Sequence, residues 1–184
     1  NALNIALMSH NNHLYAIRGN HDDPSYFEST NNPFNLSNIT LLADFTERTI
    51  LEQRILFVGG AVSIDRIPRI QEHLKGKGKS HWTDENFKLK EDFNYNKPYD
   101  IVVTHSRPGC CGAFKGFDKI EYWMKDDPTL KEDLIKEAAV IDELYQYTKP
   151  RKWYYGHFHK SDVVEHENTT FRCLDIDELY EHKS

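Results

Sequence analysis

Three β-forming runs in this chain end alike, and that recurrence narrows what the chain can fold into. "HLYAIRG" leads into "NHDD", "YDIVVTH" into "SRPG" and "KWYYG" into "HFHKS", so apolar and β-branched residues give way each time to polar loops carrying glycine and histidine. Strands that alternate with helices build α/β sheets, and in open sheets of that kind ligands gather outside the carboxyl ends of the strands. The three polar loops are therefore expected to converge on one site.

The rest of the chain supplies the alternation. "NALNIALMSH" places Leu3, Ala6, Leu7 and His10 at the spacing of one helix face. "ITLLADF" and "RTILEQRILFVGGAVSI" join "YDIVVTH" as central strands, with Gly59 and Gly60 suited to a tight approach or a bulge. Between Thr129 and Tyr147 the residues Leu130, Leu134, Ala138, Ile141 and Tyr145 share a face, "TLKE" fits a capping box, and Pro150 ends the helix. "DVVEHENTTFRCLDID" reads as a hairpin turning at Glu167 and Asn168. "ESTNNPFNLSN" is a polar connection, and Leu74 to Pro98 is an insertion packed by Trp82, Phe87, Phe93 and Tyr95. The reading is one α/β domain, 1–184, with mixed sheets.

Composition disfavours several partners. Residues that are 39% hydrophobic and 12% aromatic suffice for a core in a chain of 184. The 29 acidic and 23 basic residues are spread along the chain, which leaves neither a basic footprint for nucleic acid nor a polybasic membrane patch. No apolar run has the length to cross a bilayer. Three cysteines, with Cys110 and Cys111 adjacent, make a poor disulfide framework and point to a reducing compartment, the cytoplasm.

His157 and His159 stand two apart, which on a strand puts both rings on one face and in a tight turn lets them approach two neighbouring ions. With His105 and Asn20 they form a nitrogen and oxygen set of the kind that manganese, iron or zinc accepts, whereas calcium or magnesium calls for mostly oxygen.

"GNHDD", "THSRP" and "GHFH", in this order, resemble the later signature blocks of the calcineurin-like metallophosphoesterase superfamily, and "GGAVSIDRIPR", Gly59 to Arg69, resembles a segment of its bacterial and phage-like members. The resemblance implies a sandwich of two mixed β-sheets flanked by helices. It implies Asn20, His105 and His157 as ligands of one metal, His159 as a ligand of another, and His21 as the catalytic residue over the substrate phosphate. The implied cofactors are two divalent transition-metal ions, manganese foremost, and the implied reaction is hydrolysis of a phosphate ester by a hydroxide bridging them. His21 would stabilise the phosphoryl oxygens or protonate the leaving alkoxide. Gly19 and Gly156 would let backbone pass close to the ions.

Two earlier blocks of that pattern, Asp-x-His and Gly-Asp-x-x-Asp, are absent, so the second metal keeps only His159. An N-terminally incomplete domain, lacking its first strands, is the expectation. A degenerate scaffold that only binds is the alternative, and the "RGNH" wording also resembles the serine/threonine protein phosphatases.

Other residues carry weaker readings. Arg107 is a candidate for the substrate phosphate. Asp65 and Arg66, in "GGAVSIDRIPR", read as a structural ion pair, Asp22 and Asp23 as residues that shape their loop, and Cys110 and Cys111 as core thiols. Trp82 either lines a substrate mouth or pins the insertion, and the remaining histidines read as solvated or packing residues.

Overall fold

A computed structural model of the chain describes residues 2–28, 34, 36–78, 81–112 and 120–182. Parts of the polar connection (29–33 and 35) and of the insertion (79 and 80) lie outside the described residues. The helices are α1 (Ala2–Ser9), α2 (Ser25–Glu28), α3 (Arg66–Leu74), α4 (Ile120–Trp123) and α5 (Leu130–Thr148). The strands are β1 (Leu14–Ala16), β2 (Ile39–Leu41), β3 (Thr46–Ile50), β4 (Gln53–Val58), β5 (Ile101–Thr104), β6 (Lys152–Tyr155), β7 (Asp162–His166) and β8 (Thr169–Cys173). Among the described residues no helix is long and apolar enough to cross a membrane.

Among the described residues two sheets form, as expected of an α/β chain. β1 and β2 pair in parallel, and the larger sheet runs β3-β4-β5-β6-β8-β7. Its centre, β4 to β6 and on to β8, is parallel, while β3 and β7 close the edges as antiparallel hairpin partners. Only β4 and β5 of the expected central strands lie inside this sheet. "ITLLADF" pairs with β1 instead, and β3 is an edge strand. The β3–β4 hairpin turns through Leu51 and Glu52, at φ 49 and φ 65, a two-residue turn without the glycine or asparagine that would have announced it.

Period-two alternation sorts the core. Leu56, Val58, Val102, Trp153, Tyr155 and Phe171 face one way and pack under Ile141, Leu144 and Tyr145 of α5. Ile55, Phe57 and Ile101 face the other way, towards Tyr15 and Leu42 of the β1–β2 region. Both faces of the parallel strands are thus covered, as such strands require. The insertion is pinned by its aromatics: Phe87 is buried, and Phe93 and Tyr95 meet Phe45 and Tyr147 with ring centroids at 5.0 Å.

Helix α5 matches its expected span within a residue, but its start does not form a capping box. Thr129 makes no side-chain cap; its hydroxyl lies 3.1 Å from Asp127 Oδ1 and 3.3 Å from Asp133 Oδ2. Arg66 gathers these groups, donating to Asp127 at 2.5 Å and to Asp133 at 2.6 Å, and so ties α3 to the start of α5. Arg66 is therefore structural, but its acidic partners are these two and not Asp65. Helix α3 itself was not legible in the motif; Pro68 sits in its first turn, where the missing N–H has no intrahelical partner to lose.

The core of α5 and its exposed face should respond differently to truncation. Leu144 is fully buried and Ile135 is half exposed. Leu144→Ala should lower the unfolding free energy by about 2–5 kcal/mol and Ile135→Ala by less than about 0.5, read from urea midpoints at constant m-value.

Candidate metal centre

The carboxyl ends of β4, β5 and β6 reach one edge of the large sheet, because the ladder aligns Val58 with Thr104 and Val103 with Tyr154. The loop after β1 joins that edge through Arg18. Its buried guanidinium donates to Asp44 at 2.7 and 2.9 Å and to the carbonyls of Asp84, Glu85 and Asn86. Gly60 N–H donates to the Arg18 carbonyl at 3.0 Å. A Cβ on Gly59 would stand 2.6 Å from that carbonyl oxygen, and Gly60 has φ +89, so the expected tight approach at this pair is present and needs glycine at both positions.

This scaffold brings three of the candidate residues together. Asn20 is buried, and its Oδ1 lies 3.0 Å from His105 Nε2. The rings of His105 and His157 meet at a centroid distance of 5.0 Å. Burial lowers the His105 imidazole to about 4, and burial first, then the neighbouring His105, His159 and His21, holds His157 well below its ordinary value. Both rings are therefore neutral at pH 7, the form in which imidazole has a lone pair to offer.

His157 and His159 do not sit on a strand, because β6 ends at Tyr155. Their backbone φ values are 70 and 50, and Phe158 N–H donates to the Gly156 carbonyl at 2.8 Å, which makes His157 the central residue of a γ-turn. A non-glycine residue with φ in that range stores strain of roughly 1–3 kcal/mol. His159 is exposed. Gly19 is crowded, since a Cβ there would lie 3.0 Å from His105 Cε1, but one on Gly156 would meet nothing nearer than 3.9 Å. Steric room explains the first glycine and not the second.

His21 is exposed, and its Nε2 lies 3.7 Å from Asp65 Oδ1, which also faces Arg69 at 3.5 Å. Asp22 accepts the Gly19 N–H at 2.6 Å and Asp23 accepts the Ser25 N–H at 3.0 Å, so both shape the loop. Arg107 donates to the Gly112 carbonyl at 2.6 Å and lies over the Phe158 ring. With Ser106, Leu134, Ala138 and Phe158 it lines a cavity of about 310 Å³ beside His157. Cys110 and Cys111 pack against the core as free thiols, and the hydrogen bond between them followed by burial pushes the Cys111 thiol up, away from the reactive thiolate.

A model of the calcineurin-like phosphoesterase family matches residues 2–161. The chain belongs to the calcineurin-like phosphoesterase family. No curated protein matches it. Calcineurin-like phosphoesterases hydrolyse phosphate esters with divalent metal ions, and the donors present suit one such ion: two neutral imidazoles and an amide oxygen, converging from three loops. In one tautomer His105 Nε2–H donates to Asn20 Oδ1; moving that proton to Nδ1 leaves lone pairs on both atoms, 3.0 Å apart. Among the described residues no three His, Cys, Asp or Glu side chains form a metal cluster by themselves.

Several residues at the site escaped the motifs. Ser63 and Arg69 lie in "SIDRIPR", where polar side chains interrupt an apolar stretch just after the glycine pair. Glu137 stands on the buried stripe of α5 between Leu134 and Ile141, and an acid at such a position is itself a signal. It accepts from Val62 N–H at 2.6 Å and Ser106 Oγ at 3.1 Å, clipping together the loops after β4 and β5.

Burial pushes the Glu137 carboxyl up to about 7 from an ordinary 4.5, against its hydrogen-bond donors. The folded protein then holds a proton that the unfolded chain releases, so this contribution to stability is full below pH 4.5 and is lost as pH rises through 7. His105 and His157, whose values fall on folding, act with the opposite sign and cancel when a variant is compared at each pH. The unfolding free energy relative to Glu137→Gln should therefore decline between these limits, by at most about 1.4 kcal/mol per pH unit, in urea titrations across the range.

Proposed function

We propose that the chain hydrolyses a phosphate ester at the cluster of Asn20, His105 and His157, with His21 as the catalytic residue. The observation that carries this reading is the 3.0 Å approach of Asn20 Oδ1 to His105 Nε2, with the His157 ring against His105. Asn20, His105 and His157 would hold one divalent transition-metal ion, manganese in preference to iron or zinc, and His159 would contribute to a second. When bound, such ions supply Lewis acidity, which strengthens water as an acid and draws charge from phosphoryl oxygens.

The chain's own residues do the rest. His105 and His157 are kept neutral by burial, so they accept no proton at pH 7 and stay available as donors of electron pairs. His21 is exposed beside them, where an imidazole can donate a hydrogen bond to a phosphoryl oxygen or a proton to the leaving alkoxide. Asp65 Oδ1 lies 3.7 Å from its Nε2 and limits how the ring can turn. Arg107 lines the cavity beside His157 and is the side chain best placed to steer the ester towards the ions.

The test is hydrolysis of aryl phosphate monoesters and diesters with added Mn²⁺, run beside a measurement of bound metal. His21→Ala should lower kcat by about 10²–10⁴-fold while metal content stays the same, whereas Asn20→Ala should lower metal content. Turnover of the His21→Ala variant equal to that of the unaltered chain would remove His21 from the chemistry.

A further inference from the structure

Behind Asn20 the buried polar residues form a chain leading away from the cluster. Ser63 is fully buried in the loop after β4, Arg69 is buried on α3, and Glu85 is buried in the insertion. Asn20 Nδ2 donates to Ser63 Oγ at 2.9 Å, and one guanidinium nitrogen of Arg69 donates to the same oxygen at 2.5 Å. The other guanidinium nitrogen donates to the Asn20 carbonyl at 3.2 Å and to the Glu85 carboxylate at 3.1 Å. The Ser63 hydroxyl in turn donates to the Asn20 carbonyl, 3.4 Å away.

A hydroxyl has one proton and two lone pairs. At Ser63 both lone pairs accept and the proton goes to the main chain, so the hydroxyl presents an acceptor to the Asn20 carboxamide. The carboxamide answers with its NH₂, and Oδ1 is left facing His105. Turned over, it would set oxygen against oxygen at Ser63 and aim its NH₂ at the place where a cation would sit.

We propose that Ser63, held by Arg69, is a positioning residue that sets which end of the Asn20 carboxamide faces the cluster, so that oxygen and not NH₂ meets a divalent cation. This inference rests on the reading of Asn20 as a ligand. Groups that orient a ligand in this way typically account for about 10–100-fold in metal affinity. A carboxylate at the same position has no wrong end, since both of its terminal atoms are oxygen, and would not need orienting.

The experiment is calorimetric titration with Mn²⁺ alone. Ser63→Ala should weaken binding by about 10–100-fold and Ser63→Thr, which keeps the hydroxyl, should retain most of the affinity. Added to Asn20→Asp, the Ser63→Ala change should leave affinity within about twofold. An equal loss in both backgrounds would mean that Ser63 only packs, and would overturn the inference. Binding that Asn20→Ala weakens but Ser63→Ala leaves intact would overturn it alone. An unaltered chain that binds no Mn²⁺, or whose binding survives Asn20→Ala, would overturn the ligand reading and the inference with it. A second measurement needs no variant: in the metal-free protein, NMR cross-relaxation should connect the Asn20 NH₂ protons to Ser63, and contact with the His105 ring instead would refute the orientation.

Discussion

The parallel pairing of β4, β5 and β6 is the constraint on which the cluster depends. Because Ile55 to Val58 run in step with Ile101 to Thr104, and these with Lys152 to Tyr154, all three strands end at one edge. The hydrogen bonding continues past the strands, where Gly156 N–H donates to the His105 carbonyl at 3.1 Å. A shift of one residue in any strand would exchange its two faces, taking Trp153 or Leu56 out of the core, so the register is held by burial on both sides. The same packing that stabilises the sheet therefore places His105 beside His157.

Joining the fourth loop to this edge requires polar groups to be buried, and each is met by a partner of suitable charge. Arg18 has a carboxylate and three carbonyls around it, and Arg69 has Glu85, Ser63 and the Asn20 carbonyl. A buried guanidinium stripped of such partners is strongly destabilising, whereas a fully partnered one adds geometric specificity through its planar fork of donors. Asn20 thus arrives at the cluster on a rigid mount. Glu137 performs a similar task from α5, spanning the loops that carry Ser63 and His105.

The cluster itself departs from local preference in two ways. His157 and His159 both occupy left-handed backbone, and two imidazoles are enclosed where neither can readily be charged. Strain and desolvation of this kind persist only when the surrounding structure over-determines them, and here the ladder below and the Asn20 mount beside do so. The result is a set of neutral nitrogen donors next to an exposed His21, which suits a family that hydrolyses phosphate esters with divalent ions.

Much of this was legible along the chain. The runs that became β4, β5, β6 and the β7–β8 hairpin announced themselves by β-branched and aromatic residues, and α5 by its apolar stripe, since side-chain period is a local property. The β3–β4 turn was not announced, because Leu51 and Glu52 take positive φ under the pull of strand pairing and against their own preference. Nor was the assignment of "ITLLADF" to the small sheet, or the capture of Arg66 by Asp127 and Asp133, as each joins segments far apart in sequence. The sequence by itself determined the strand and helix types and which loops carry histidine, asparagine and glycine, because composition and period act over a few residues. Only the tertiary structure decided that Asn20 turns its oxygen to His105, that His21 faces Asp65, and that Ser63 and Glu137 stand behind them, because those choices depend on which buried donor meets which acceptor across the sheet edge.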